Sequence, residues 1–155
     1  MDYLDPEQVI HEADRVIAVY GEWPPFGDFE VVRIVFDRYL PAIGEGPHIT
    51  AYIHMWRISG RTSDGKHLLY DAHHVVGIQF RNVVRYRMEW FNHQNVIDDI
   101  LIVQAEDDHG ATVLDAVLPS QYGVELEVRC RSIHVVSVEA QLPPNSVYAP
   151  DDPAA

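Results

Sequence analysis

Gly21-Glu22-Trp23-Pro24-Pro25-Phe26-Gly27-Asp28-Phe29-Glu30 marks the change from one hydrophobic period to another, and its reading decides the fold. Pro24 and Pro25 have a fixed φ and no backbone donor, and each biases the residue before it toward extended geometry. The turn is therefore stiff and presents its side chains at little entropic cost. Trp23 and Phe26 are either anchors for a partner or a hydrophobic plug closing the end of a β-core, and this stretch by itself favours the plug. Asp28 and Glu30, two positions apart, share one face of the strand that begins there.

Upstream of the turn the apolar spacing is helical. Asp5-Pro6-Glu7-Gln8 supplies an N-cap, a proline at the first helical position, a carboxylate suited to the dipole and a capping-box partner. Val9, Ala13, Val16, Ile17 and Tyr20 follow at helical spacing, and Gly21 stands where a C-terminal cap belongs. This predicts one amphipathic helix.

Downstream the period is two. Val32, Ile34 and Phe36 alternate with Arg33, Val35 and Asp37; after a Pro41–Pro47 loop, Ile49, Ala51, Ile53 and Met55 alternate with an outer face of His48, Thr50, Tyr52, His54 and Trp56. Asp64-Gly65 suits a tight reversal. Further strands are predicted at Leu68–Tyr70, Val75–Phe80, Val84–Trp90, the apolar run Val96–Val103, Thr112–Leu118, Val124–Cys130 and Ile133–Val138. Phe91–Asn95, Glu106–Gly110 and Pro119–Gly123 read as connections. The fold class is α+β, mainly β: an N-terminal helix packed on a curled antiparallel sheet or two-sheet sandwich of about seven or eight strands, in one domain over residues 1–142. From Pro143 to Ala155 prolines and aspartates leave nothing to bury, which reads as a mobile tail.

The net charge of −13 argues against nucleic acid or an anionic membrane as partner, because both need a basic stripe. The densest basic groups, Arg81, Arg85 and Arg87, then Arg129 and Arg131, are too few to offset the acid. Strong acidity suits a basic protein, whose approach it accelerates, or else serves solubility alone. The single cysteine, Cys130, in phase with Val124, Leu126 and Val128, reads as a buried inert thiol. The polar Met1–Asp5 start and the lack of a long apolar run point to a cytoplasmic, soluble chain.

No motif for nucleophilic catalysis, phosphate binding or metal ligation stands out among these residues, and no cofactor is expected. His73-His74 point to opposite faces if they lie in a strand, and the pairs Asp28 with Glu30 and Asp98 with Asp99 lack a catalytic context. One alternative remains: His54 and His93 meeting Asp28 or Glu30 in a two-histidine carboxylate site, giving a small ligand- or metal-binding β-domain or an enzyme. Asn92-His93-Gln94-Asn95 either bonds to its own backbone in a turn or contacts a partner.

Three segments in order, Trp23-Pro24-Pro25-Phe26-Gly27-Asp28-Phe29-Glu30-Val31, Phe91-Asn92-His93-Gln94-Asn95-Val96-Ile97, and Ser120-Gln121-Tyr122-Gly123 leading to Cys130-Arg131-Ser132-Ile133-His134-Val135, resemble the immunity protein 50 family of bacterial polymorphic toxin systems. The resemblance runs from about Asp5 to Glu139, and Phe-Asn-His-Gln-Asn is its most specific piece. The family's first motif usually reads Trp-Pro-Ser-Phe-His-Asp-Ala-Glu; here Pro25, Gly27 and Phe29 replace the serine, histidine and alanine, while Asp28 and Glu30 are kept. The resemblance implies a non-catalytic antitoxin that binds and blocks a cognate toxin domain, itself basic if the acidity of this chain is a guide. Partner-binding candidates are Trp23, Phe26, Asp28, Glu30, Asn92, His93, Gln94, Asn95 and Tyr122, with Tyr52 and Trp56 as a further aromatic patch. A third possibility is self-association through an exposed strand edge, as a monomer in equilibrium with a weak dimer.

Overall fold

The alternation that begins at Glu30 becomes a meander of long strands: β1 (Glu30–Leu40), β2 (Gly44–Arg61) and β3 (Leu68–Arg81). In the computed structural model, which describes residues 2–148, these are followed by β4 (Arg85–Glu89), β5 (Val96–Ile97), β6 (Leu101–Glu106), β7 (Thr112–Leu118), β8 (Ser120–Tyr122), β9 (Glu125–Cys130) and β10 (Ser132–Ala140). They form a six-stranded sheet in the order β10-β3-β2-β1-β5-β8 and a four-stranded sheet in the order β4-β9-β7-β6, antiparallel throughout.

Two strand pairs pass from one sheet into the other. β3 continues into β4 and β9 into β10 around one corner, held by Arg131 N–H to the Arg81 carbonyl (3.0 Å) and Val84 N–H to the Arg129 carbonyl (2.7 Å). At the other corner β5 becomes β6 and β7 becomes β8, held by Asp98 N–H to the Pro119 carbonyl (2.8 Å). Strands that switch sheets at bends are how packed sheets make corners. The apolar run Val96–Val103 is therefore two strands, broken where the Asp99 carboxylate accepts the Ile100 N–H (2.7 Å). The segments predicted at Leu68–Tyr70 and Val75–Phe80 are one continuous strand, β3, while short β8 is an added strand that occupies the predicted loop Pro119–Gly123.

Ile49, Ala51, Ile53 and Met55 of β2, Val76, Ile78 and Phe80 of β3, and Leu126, Val128 and Cys130 of β9 fill the space between the sheets. Each large side chain removed from water there contributes about 1.5–3 kcal/mol. Burial pushes the Cys130 thiol up to about 12, which leaves it unreactive. The expected polar and aromatic outer face of β2 is also buried: His48 and His54 are fully enclosed, and Thr50 and Trp56 nearly so. The reason is position, since β2 lies between β1 and β3 and its far side is covered by later parts of the chain.

The helix is not continuous. α1 (Pro6–Val9) has Asp5 as its cap, and α2 (Asp14–Tyr20) ends at Gly21 with φ +80°. Between them the backbone of His11 joins β10, through His11 N–H to the Ile133 carbonyl and Val135 N–H to the His11 carbonyl, both 2.9 Å. Covering an open strand edge outweighs helical spacing here, and Glu12 takes a positive φ of 62° as a result. Leu4 N–H likewise caps the edge of β6 at the Ile102 carbonyl (2.8 Å), so the N-terminal segment straps both sheets while Ile10, Ala13 and Val16 enter the core.

Of the segment read as a mobile tail, residues 143–148 lie against β1 and β2, and 149–155 fall outside the described residues. The Tyr148 ring packs on Trp56 (4.7 Å between centroids) and Tyr70 (5.1 Å), and its hydroxyl donates to the Asp28 carbonyl. Among the described residues no helix is long and apolar enough to cross a membrane.

Candidate functional site

The stiff turn leads into the core as well as into β1. Trp23 stacks on Phe26 (5.4 Å, 17°), Phe26 touches Phe29 (5.3 Å), and Phe29 meets Trp56 edge-on (5.2 Å). Phe26 and Phe29 are buried and Trp23 is half-buried, so the aromatics form the plug at the end of the sandwich. Asp28 and Glu30 do not behave as a pair: Asp28 is exposed at φ +73°, whereas Glu30 is buried.

Glu30 belongs to a buried polar chain. Its carboxylate lies 2.7 Å from His54 Nδ1, and His54 Nε2 lies 2.9 Å from His73 Nδ1. The Ser146 hydroxyl and the Val147 N–H also donate to Glu30. Burial raises the Glu30 pKa, but the hydrogen bonds from His54, Ser146 and Val147 outweigh it and hold the carboxyl below its ordinary value. Burial, then the neighbouring His54, pushes the His73 pKa down. His54 is thus committed to Glu30 and His73. The alternative grouping of His54, His93 and Asp28 does not form, and no cluster of three or more His, Cys, Asp and Glu side chains among the described residues is placed to hold a metal ion.

The Phe91–Asn95 segment folds around its two asparagines. The buried Asn95 accepts from Asn92 N–H (2.9 Å) and Val124 N–H (3.0 Å) through its side-chain oxygen, and donates its amide to the Asn92 carbonyl (2.6 Å). Asn92 accepts from Gln94 N–H (2.8 Å) and donates to the Trp90 carbonyl (3.1 Å). These are the turn bonds that asparagines in connections make. The knot sits on Gly123 at φ +72°, where a Cβ would fall 2.5 Å from the Gln94 carbonyl and 2.6 Å from the Asn95 side-chain oxygen. Sequence reasoning missed Gly123, although a glycine at the start of a strand was its visible signal.

The motif segments meet in space. Val31 N–H donates to the Asn95 carbonyl (2.8 Å), Asp28 N–H to the Ile97 carbonyl (3.0 Å) and Ile97 N–H to the Phe29 carbonyl (2.9 Å), while Val96 pairs with Tyr122. The exposed members of the candidate set are Asp28, Asn92, His93 and Tyr122, with Gln94 half-buried; the interior holds Phe26, Glu30 and Asn95. Of the further aromatic patch, Trp56 is interior, and Tyr52 is half-buried beneath the Arg33 guanidinium (5.0 Å).

The structure adds Trp90 (65% exposed, φ +62°) and Phe91 (45%) beside the asparagine knot, and nothing in the sequence pattern singled out Trp90. Beside Trp23 a groove of about 550 Å³ is lined by Tyr3, Glu22, Pro25, Asp98 and Asp99 among others, with no lysine, arginine or histidine in its wall. Glu22, Asp28, Asp98 and Asp99 make no ion pair among the described residues. Of the arginines on and beside the smaller sheet, Arg87 pairs with Glu89, Glu125 and Glu127, Arg129 with Asp115, and Arg131 with Asp107, whereas the exposed Arg85 makes no ion pair among the described residues.

Compared with known proteins, residues 12–141 match the sequence profile of the family described as Immunity protein 50. No curated protein matches the chain.

Proposed function

The chain belongs to the immunity protein 50 family, and from that premise we propose that it binds the toxin domain encoded beside it in the cytoplasm and blocks it by occlusion, without turnover. The observation that carries this reading is the meeting of the motif segments in space, which leaves Glu22, Asp28, Asp98 and Asp99 without an ion pair among the described residues and His93 and Tyr122 exposed. An acidic rim around aromatic side chains suits a basic partner: the charges steer the encounter and the aromatics supply the affinity. Trp90 and Phe91 are carried on a connection stiffened by Asn92 and Asn95, and Tyr122 on β8, which pairs with β5, so ordering them on binding costs little. Arg87, Arg129 and Arg131 are engaged by carboxylates, which leaves too few free basic groups for a phosphate backbone and favours a protein partner over nucleic acid.

Calorimetric titration with a catalytically dead form of the adjacent toxin domain, at low and high salt, tests the proposal. Dissociation constants of about 10 nM or below that weaken with salt are expected. Absence of binding at both salt concentrations refutes the proposal for that pair.

A further inference from the structure

We propose that two copies of this chain associate through the free edge of β1, antiparallel, in the register that sets Arg33 of each copy opposite Asp37 of the other. The inference does not rest on the toxin-binding proposal, whose face lies on the turn before β1, on β5 and β8 and on the Phe91–Asn95 connection, which borders Arg33.

It starts from which edges are covered. The N-terminal segment caps β10 through His11 and β6 through Leu4. The free edges of β8 and β4 are only three and five residues long. β1 is different: it meets β5 only at Glu30 opposite Val96 and through Val31 N–H to the Asn95 carbonyl. From Arg33 to Leu40 the side facing away from β2 makes no strand pairing among the described residues. A long unpaired edge is a template for another strand, and natural sequences guard it with proline, bulges or charges of one sign.

Here the guard is self-complementary. Register shifts occur between Val31 and Arg33 and between Asp37 and Tyr39, which leaves Arg33–Asp37 as a regular segment. Arg33 and Asp37 lie on the same face of that segment, opposite Tyr52 and His48 on β2, and neither makes an ion pair in its own chain among the described residues. With Val35 opposite Val35 of a second copy, each Arg33 faces an Asp37 and each Phe36 faces an Ile34. Opposite charges directly across an antiparallel pair stabilise it and like charges destabilise it. The other face carries apolar surface that a second copy covers: Phe36 is 45% exposed and touches the equally open Tyr86 ring (5.2 Å).

Sedimentation velocity of the full chain over a hundredfold range of concentration is the test. The wild-type protein is expected to show a concentration-dependent dimer. Arg33→Asp or Asp37→Arg alone places like charges across both symmetric positions and weakens the dimer about thirtyfold, and the double variant restores it to within about threefold. Arg33 is exposed and Asp37 half-buried, and the restoration distinguishes pairing from misfolding. A monomer at every concentration up to about 1 mM overturns the proposal. So does a dimer indifferent to the variants, or one the double variant fails to restore. A monomer whose β1 amides gain exchange protection only when toxin is added assigns the edge to that partner and overturns it as well.

Discussion

Replacing Asn95 by alanine separates what the Phe91–Asn95 segment does for the fold from what it offers a partner. The substitution removes three hydrogen bonds, two accepted by the side-chain oxygen and one donated by the amide. Val124 is fully buried, so its N–H loses its acceptor where water does not reach, at about 1–3 kcal/mol. The other two bonds lie where solvent partly compensates, and each contributes about 0.5–1.5 kcal/mol. The expected loss is about 3 kcal/mol, or a fall of about 6–12 °C in melting temperature for a chain of this size. His93→Ala, on the same connection but exposed, is expected to change stability by less than about 0.5 kcal/mol. Urea unfolding followed by tryptophan fluorescence gives both values with their slopes. An Asn95→Ala protein within about 0.5 kcal/mol of wild type, or no different from His93→Ala, refutes the view that the knot is structural.

Gly123→Ala strains a left-handed position and drives a Cβ into the Gln94 carbonyl and the Asn95 side chain; a loss of at least about 2 kcal/mol in the same assay is expected, with amide exchange accelerated across residues 92–95. Phe26→Ala empties the plug between Trp23 and Phe29 and should cost about 3–5 kcal/mol by thermal or chemical unfolding, which marks Phe26 as a core residue. Acid should destabilise the protein in two overlapping stages. Burial, with Arg81 and His11 nearby, pushes His134 down to about 4, so the unfolded chain takes up a proton below about pH 6.5 that the fold resists. That contribution is complete above pH 6.5 and lost as the pH falls toward 4, at about 2 kcal/mol after allowance for partial exposure. Glu30, whose folded pKa is depressed, adds stability that is present above its unfolded value and lost as pH falls through the folded one. Stability that is flat between pH 7 and pH 4 in urea titrations contradicts the His134 assignment, and no further loss as the pH falls below 4.5 contradicts that of Glu30. Tyr122→Ala and His93→Ala should leave stability nearly unchanged and weaken toxin binding about tenfold or more by calorimetry.

The fold class was legible because the signals were local and strong. Period-two alternation from Ile49 to Met55 and from Val124 to Cys130 marked strands that the structure contains, and Asp5, Pro6 and Gly21 marked helix ends in the places found. What was not legible depended on tertiary partners. The spacing of Val9 to Tyr20 carries no trace of the β10 edge that recruits His11, and nothing in Val96–Val103 shows that its two halves pair with different sheets. The same holds at the candidate site. Asp28 and Glu30 share a strand period, yet the left-handed turn at Asp28 sends one to solvent while His54, Ser146 and Val147 draw the other inside. The polar tail composition concealed Ser146 and Tyr148, whose roles need only one hydroxyl each and a ring set against Trp56.

The proposal that this protein inhibits by occlusion, not by chemistry, is tested most directly by titrating the active toxin domain with it at concentrations well above the dissociation constant. Toxin activity should fall linearly to zero at one immunity chain per toxin, and intact, active toxin should be recovered when the complex is dissociated in denaturant and refolded. Loss of activity at far less than one equivalent, or toxin that stays inactive or modified after separation, would show turnover and contradict the account.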